Sequence, residues 1–547
     1  MTGKPLFKLS MASCLGRAAV MVLLFSLAWL HFASKIALVT ADLGRHIRNG
    51  ELFIKTHQIL STNLYSYTHP DFPTVCHHWG AGVLFYLVMQ AGGFVALSAV
   101  YVAVLVLTFA LSMVVSRRSA GFWPTVLAAV VALPLVAYRT EIRPEGLTTL
   151  FLAIEYLLLN EWREKRLSSR WLWVIPSVQL AWINVHILFF IGFVLLTFFM
   201  VDAFVNEADR SRWKGLSFIG VVSLLVSLVN PFGLEGLMEP LNIFRVYGYT
   251  LAENQTVFFM MKRFPGHMIY VYFLVLLAVA VVLLGLRLFK ERSWKAALLD
   301  ILILGFFGLM GVKAIRAFSM FGFFFIPLAA AQLVHVIRLY GGSWQKQGQR
   351  AVRTAAVVLV VLAVVTPYFV LSPLRSNHLF LQGEEEKYRK SFFPALFHPL
   401  VWGGLASDTE GSAAFFKGQG LRGPIFNNYD IGGYLIYYLF PEERPFVDNR
   451  PEAYPTEFFG KVYAPMQEDE KVWAEMDRKY GFQVIYFYRH DQTTWGQPFL
   501  IRRIDDPAWA PVFVDGYTII LAKRGGVNQR VIEKFELPRS IFGVTKH

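Results

Sequence analysis

Long apolar stretches separated by short polar breaks fill the first two-thirds of the chain. About eleven can be marked off, near 16–39, 93–115, 121–138, 145–160, 171–184, 187–204, 215–230, 267–287, 296–312, 316–338 and 352–371. A helix that crosses a bilayer takes about 20 residues, range roughly 17–25. Each stretch is therefore predicted as a membrane-spanning helix, with soft boundaries for the short ones at 145–160, 171–184 and 215–230. The apolar run Trp79–Gly92 is predicted to lie along the membrane surface and to stop at Gly92-Gly93. If it crossed the membrane instead, every later loop would change sides. From Ser372 the pattern changes, as Pro, Gly and charge return. Strands are predicted at Pro424–Tyr429, Pro445–Asp448, Val484–Tyr488 and Thr518–Ala522, and helices at Gly433–Leu439 and Lys471–Lys479. The chain thus divides into a helical region 1–371, with a large first outer loop at 40–92, and a soluble α/β domain 372–547. It shows no internal repeat and no low-complexity tract.

Composition agrees with a polytopic helical membrane protein, since 55% of residues are hydrophobic. The net charge of +14 would point to nucleic acid in a soluble chain. Here the basic residues gather in alternate short loops: Arg117-Arg118, Arg163 to Arg170, Arg210 to Lys214, Arg287 to Lys295 and Arg338 to Arg353. That is the pattern of cytoplasmic loops, so no nucleic-acid partner is expected. The loops at 40–92, 139–146 and 231–266 and the C-terminal domain then face the outer side. Lys4, Lys8 and Arg17 ahead of the first stretch, with no small-residue cleavage site after it, predict a retained signal anchor. Cys14 and Cys76 fall on opposite sides, and no disulfide is expected.

Several polar constellations sit at the predicted outer mouths. Asp42 follows the first span directly. If the chain is helical from there, Asp42, Arg45, His46 and Asn49 share one face. A carboxylate beside an imidazole suits proton abstraction from a hydroxyl; a plain Asp42–Arg45 ion pair is the alternative. His77-His78 lacks the i, i+4 spacing of helical metal ligands, and hydrogen bonding around Trp79 suits it better. In the second outer loop Arg139, Glu141, Arg143 and Glu145 stand close together, and Pro144 and Glu145 fit the start of a helix. Asn184 fits a tight turn, with His186 beside it. Lys313 and Arg316 form a cationic pair that could face an anionic headgroup or snorkel. Gly432-Gly433 resembles a strand-to-helix turn and is no phosphate loop. Asp430, Asp448 and Arg450 could bind sugar hydroxyls or lock turns, with the second favoured.

The acid just past the first span, the large first outer loop, the surface helix and the many spans resemble the GT-C superfamily of membrane glycosyltransferases. The stretches Asp42-Leu-Gly-Arg-His-Ile-Arg-Asn-Gly, Asn63-Leu-Tyr-Ser-Tyr-Thr and His77-His78-Trp79 resemble a bacterial GT-C-like branch. Asn427-Asn-Tyr-Asp-Ile-Gly-Gly-Tyr and Val447-Asp-Asn-Arg resemble its outer domain. The resemblance implies sugar transfer from a polyprenyl-phosphate donor to a glycan, lipid or protein acceptor, at the outer face of a bacterial inner membrane. It makes Asp42 the catalytic residue and draws a second acid, Glu141 or Glu145, from the next outer loop. Some relatives need a divalent metal, but neither loop has an Asp-x-Asp pair, so no metal ligand is assigned. The expected catalytic set is Asp42, His46 and Glu141. The expected substrate set is Arg45, His78, Arg143, Glu145, His186, Lys313 and Arg316. The rival expectation is a transporter or assembly component for lipid-linked glycans, with no chemistry.

Overall fold

The computed structural model describes residues 11–206, 210–242, 247–365, 379–382, 403–407 and 409–544. The end of the last predicted span, the boundary at Ser372, and Lys4 and Lys8 lie outside these. Each of the eleven apolar stretches falls on a helix: α1 (Met11–Phe32), the second part of α3 (Trp79–Ala120), α4 (Phe122–Val136), α5 (Pro144–Arg163), α6 (Val174–Ile183), α7 (Phe190–Asn206), α8 (Arg210–Val226), α11 (Met268–Glu291), α12 (Leu298–Lys313), α13 (Phe318–Tyr340) and α14 (Gln345–Val365). The remaining helices of this region are α2 (Leu43–Thr56), α9 (Gly233–Met238) and α10 (Val257–Arg263). Among the described residues, six helices are long and apolar enough to cross a membrane: those within 14–32, 79–120, 187–206, 268–291, 295–313 and 315–340. The chain is a multi-pass membrane protein. The expected count of eleven crossings is not confirmed: α4, α6 and α8 are short, at 15, 10 and 17 residues, while α5 and α14, at 20 and 21, are long enough but not apolar enough. At 1.5 Å per residue, the 10 residues of α6 reach about half of a 30 Å hydrocarbon layer.

The predicted break appears inside α3, where Gly92 and Gly93 leave helical geometry and Gly93 takes a φ of 66°. The part before the break packs on α2 with backbones in contact. A Cβ on Gly50 would lie 2.1 Å from the Gly82 carbonyl oxygen, and one on Gly82 would lie 2.6 Å from that of His46. Gly80 comes equally near the turn after α6: its N–H donates to the Asn184 carbonyl at 2.9 Å. Trp79 Nε1 donates to Asn184 Oδ1 at 3.0 Å, so the hydrogen bond expected near His77-His78 is made to that asparagine.

The C-terminal region holds a four-stranded sheet. The strands are β2 (Ile425–Asn427), β3 (Val484–Tyr488), β4 (Trp509–Val514) and β5 (Thr518–Lys523), in the order β2-β3-β5-β4. β2 and β3 are parallel and the other pairs antiparallel. β1 (Leu379–Leu381) and β6 (Phe542–Val544) pair separately. The predicted helices are present at Gly432–Leu439 and Glu470–Tyr480. The strand expected at Pro445–Asp448 is absent. Asn427 takes the place of a ladder there: its Oδ1 accepts from Phe446 N–H at 2.8 Å and its Nδ2 donates to the Val447 carbonyl at 2.7 Å. β4 was not predicted because Pro511 interrupts it. It is the sheet's edge strand, with a register irregularity between Pro511 and Phe513, where a missing N–H is tolerated.

The loop 40–92 is joined to this domain by hydrogen bonds. Ser66 and Thr68 hydroxyls both donate to the Phe446 carbonyl at 3.0 Å. Tyr67 OH donates to the Ile425 carbonyl at 2.9 Å, and Asn63 Nδ2 to that of Ala453 at 3.0 Å. Thus Asn63–Thr68 and Val447–Arg450, two of the segments that carried the resemblance, are held together, through Arg450 on Asn63 and through the Phe446 carbonyl next to the second.

Candidate functional site

A cavity of about 820 Å³ opens where α2, the second outer loop, the loop 247–256 and the C-terminal domain meet. Asp42, Arg45, His46, His78, Glu141, Arg143, Glu145, His186 and Arg316 all line it. Lys313 does not; it is exposed, so its expected convergence with Arg143 and Arg316 is not found.

Asp42 is the residue before α2 and caps no backbone N–H with its side chain. Its carboxylate is turned elsewhere. Oδ2 lies 3.1 Å from an Arg143 guanidinium nitrogen, and Oδ1 accepts a hydrogen bond from Asn449 Nδ2. Arg45 also reaches Asn449, donating to Oδ1 at 3.3 Å. Asp42, Arg45 and His46 line the cavity together, while Asn49 accepts from Tyr65 OH at 2.7 Å, and Asp42's arginine comes from the loop 139–146.

Three arginines surround one carboxylate. Glu253 Oε2 accepts from Arg139 at 2.7 Å and from Arg143 at 3.3 Å, and its Oε1 lies 3.5 Å from Arg316. Burial pushes the Glu253 carboxyl up, but Arg139, Arg316 and Arg143 overcome this and hold it below the usual range. Glu145, in the first turn of α5 after Pro144, pairs with Arg139 at 3.2 Å and accepts from Arg316 Nε at 2.9 Å. Glu141 sits at the rim, 60% exposed, bonded to Arg143 at 2.8 Å.

Four histidines form the inner wall. His78 lies 4.2 Å from His77, 5.3 Å from His46 and 5.1 Å from His186, ring centre to ring centre. The glycine contacts of Gly50, Gly80 and Gly82 make this possible, because they bring three backbones together. Burial depresses all four. His77 and His186 fall to about 3, and the charges of Arg45 and Arg143 add to the effect at His46. They are neutral imidazoles at pH 7. Thr148 Oγ1 bonds His186 Nδ1 at 2.8 Å. Among the described residues no group of three or more His, Cys, Asp or Glu side chains could hold a metal ion. Asp42, Glu145 and Glu253 each face an arginine instead.

Sequence reasoning noted Arg139 without giving it a role and missed Glu253, and it leaned to structural roles for the domain residues that also line the cavity. Asp430 is one: burial and the neighbouring Asp491 and Asp42 push it up to about 7. Tyr249, in the loop 247–256, lines the cavity as well, stacked on Tyr429 at 4.2 Å, and no motif marked it in the sequence. Glu253 left no spacing signal, because its partners lie more than 100 positions before it in Arg139 and Arg143.

No family model matches the chain and no curated protein matches its sequence. Solved structures do match its fold. Oligosaccharyltransferase AglB from Archaeoglobus fulgidus, in complex with an inhibitory peptide and a dolichol-phosphate, is 12% identical over 95% of this chain and 75% of its own, with a TM-score of 0.52. An Archaeoglobus fulgidus oligosaccharyltransferase tethered with an acceptor peptide aligns at 12% identity over 93% of this chain and 74% of its own, with a TM-score of 0.56. ArnT from Cupriavidus metallidurans, in the apo state, is 15% identical over 93% of this chain and 98% of its own, with a TM-score of 0.51. These are GT-C membrane glycosyltransferases, and the fold that the sequence resembled is the one the chain shares with them.

Proposed function

We propose that the protein is an inverting glycosyltransferase of the outer face of a bacterial inner membrane, using a polyprenyl-phosphate sugar as donor and an envelope glycan, lipid or protein as acceptor. One observation carries the reading: Asp42 and the arginines Arg139, Arg143 and Arg316 share a single cavity. Asp42 accepts the proton of the acceptor hydroxyl. The acceptor oxygen attacks the anomeric carbon from the face opposite the phosphate. The bond from that carbon to the phosphate oxygen breaks, and polyprenyl phosphate leaves with the electron pair. The arginines meet the charge that develops on the leaving oxygen, which is where a preorganised cation lowers a barrier most. The phosphate replaces the Glu253 carboxylate among them. The neutral histidines offer hydrogen bonds to sugar hydroxyls, and Asp430 of the C-terminal domain and Tyr249 of the loop 247–256 face the acceptor.

Among the described residues no group of three or more His, Cys, Asp or Glu side chains could hold a divalent metal, and no step is routed through one. A neighbour in fold does hold zinc and sulfate, so an assay with and without chelator belongs to the test. The transporter reading gains less support, since no residue of the basic inner loops lines the cavity. The test is transfer by purified protein in nanodiscs from polyprenyl-phosphate sugars, combined with mass spectrometry of envelope glycans and lipid-linked sugars with and without the gene. Unchanged glycans and no transfer from any such donor would sink the reading.

A further inference from the structure

We propose that Asn449 of the C-terminal domain is a positioning residue for Asp42, so that the membrane region holds the catalytic carboxylate and the soluble domain aims it. This deepens the transfer reading above and rests on it. The amide has only one orientation open to it. Asn449 Oδ1 accepts from Arg45 Nε at 3.3 Å, so the Nδ2 end faces Asp42 Oδ1. Arg143 holds the other oxygen at 3.1 Å. A carboxylate gripped on both oxygens from two sides cannot rotate, and the lone pairs left over are presented to the cavity. Fixing a base in this way converts binding into orientation.

The support behind Asn449 is rigid. Its neighbour Asp448 is fully buried and accepts from Arg450 at 2.9 and 2.7 Å, and Arg450 also donates to Asn63 Oδ1 of the first outer loop at 2.5 Å. The approach is close because of two glycines. A Cβ on Gly433 would come 3.1 Å from Asn449 Nδ2 and 3.0 Å from the Ala41 carbonyl, and one on Gly44 would come 2.7 Å from the Gly433 carbonyl. The sequence offered Gly432-Gly433 as a turn; Gly433 also sets this distance. The titratable and charged groups facing Asp42 are Arg143 from the loop 139–146 and Tyr429 and Asp430 from the C-terminal domain, with Arg45 of α2 behind Asn449.

The test compares Asn449→Ala, which removes the donor, with Asn449→Asp, which keeps the shape and substitutes an acceptor. Melting midpoints are measured alongside. Expected for N449A is a kcat lower by roughly 10- to 100-fold with the donor KM within about twofold, because the arginines are intact. Expected for N449D is a larger loss, with the acidic limb of the pH–rate profile moved upward by about one unit or more, since two carboxylates in contact resist ionising together. A residue that merely docks the domain would lower the melting midpoint and leave the profile of the folded fraction unmoved; that outcome overturns the proposal, as does wild-type kcat in both variants. An arm without turnover separates this from the transfer reading. The infrared carboxylate band lost in Asp42→Asn is titrated in the wild type, N449A and N449D with no substrate. A displaced band supports the clamp even if no transfer is found, and an unmoved band rejects the clamp even if transfer is found.

Discussion

Asp42 makes one contact to an arginine and one to an amide, and neither takes up its capacity to accept a further proton. Asp42→Asn keeps size and both neighbours but removes the base. Transfer should fall by roughly 100- to 10,000-fold, with a melting midpoint near that of the wild type; full activity in a well-folded variant would reject the assignment. Arg316 is the arginine farthest in sequence from the Arg139–Arg143 pair, and its guanidinium already forks between Glu145 and Asn254. Arg316→Ala should weaken donor binding and slow transfer by roughly 100-fold. Arg316→Lys should recover only part of this, because an ammonium cannot hold two partners in one plane. Asp430 gives a pH signature. Its carboxyl is raised from 3.8 to about 7 in the folded protein, so its contribution to stability is complete below pH 3.8 and is lost as pH rises through 7. Asp430→Asn should therefore raise the melting midpoint relative to the wild type at pH 8, and hardly at all at pH 4. An equal shift at both pH values would mean the carboxyl is not raised.

At the scale of elements, the crossing of α2 and α3 sets the whole inner wall. Gly50→Ala puts a methyl group against the Gly82 carbonyl, where no flexible side chain can give way. Overpacking of this kind costs about 1–3 kcal/mol. The measurable result is a lower melting midpoint together with reduced transfer, because His46 and His78 move apart; an unchanged midpoint would show that the helices can separate freely. The elements were legible where local pattern decides them. The Gly92-Gly93 break, the apolar helices, β3 and the helix Glu470–Tyr480 all follow from periodicity and glycine. β4 was hidden by Pro511, which only its edge position excuses, and the Pro445–Asp448 segment looked like a strand because nothing local reveals that Asn427 would take up its backbone groups.

At the scale of the whole molecule, the basic loops predict one orientation. A reporter fused at the C-terminus should signal from the outer compartment; a cytoplasmic signal would mean that the part of α3 before Gly92 crosses the membrane, and it would break the outer-face assignment of the cavity. The membrane-mouth side chains on and beside α2 were found from sequence because each stands out as polar against an apolar background. Glu253 and Asn449 were given no role, and Asp430 was set down as structural, because they lie in polar surroundings and become special only through partners distant in the chain. No periodicity carries that information.

The bond between Asp42 and Asn449 joins residues 407 positions apart. In equilibrium terms so long a closure is cheap, since each doubling of a loop adds only about 0.6 kcal/mol. In time it is late. The carboxylate leaves the ribosome among the first tenth of the chain, and its partner emerges in the last fifth. The clamp proposed at Asp42 can therefore close only after residue 449 has been made, behind the whole membrane region.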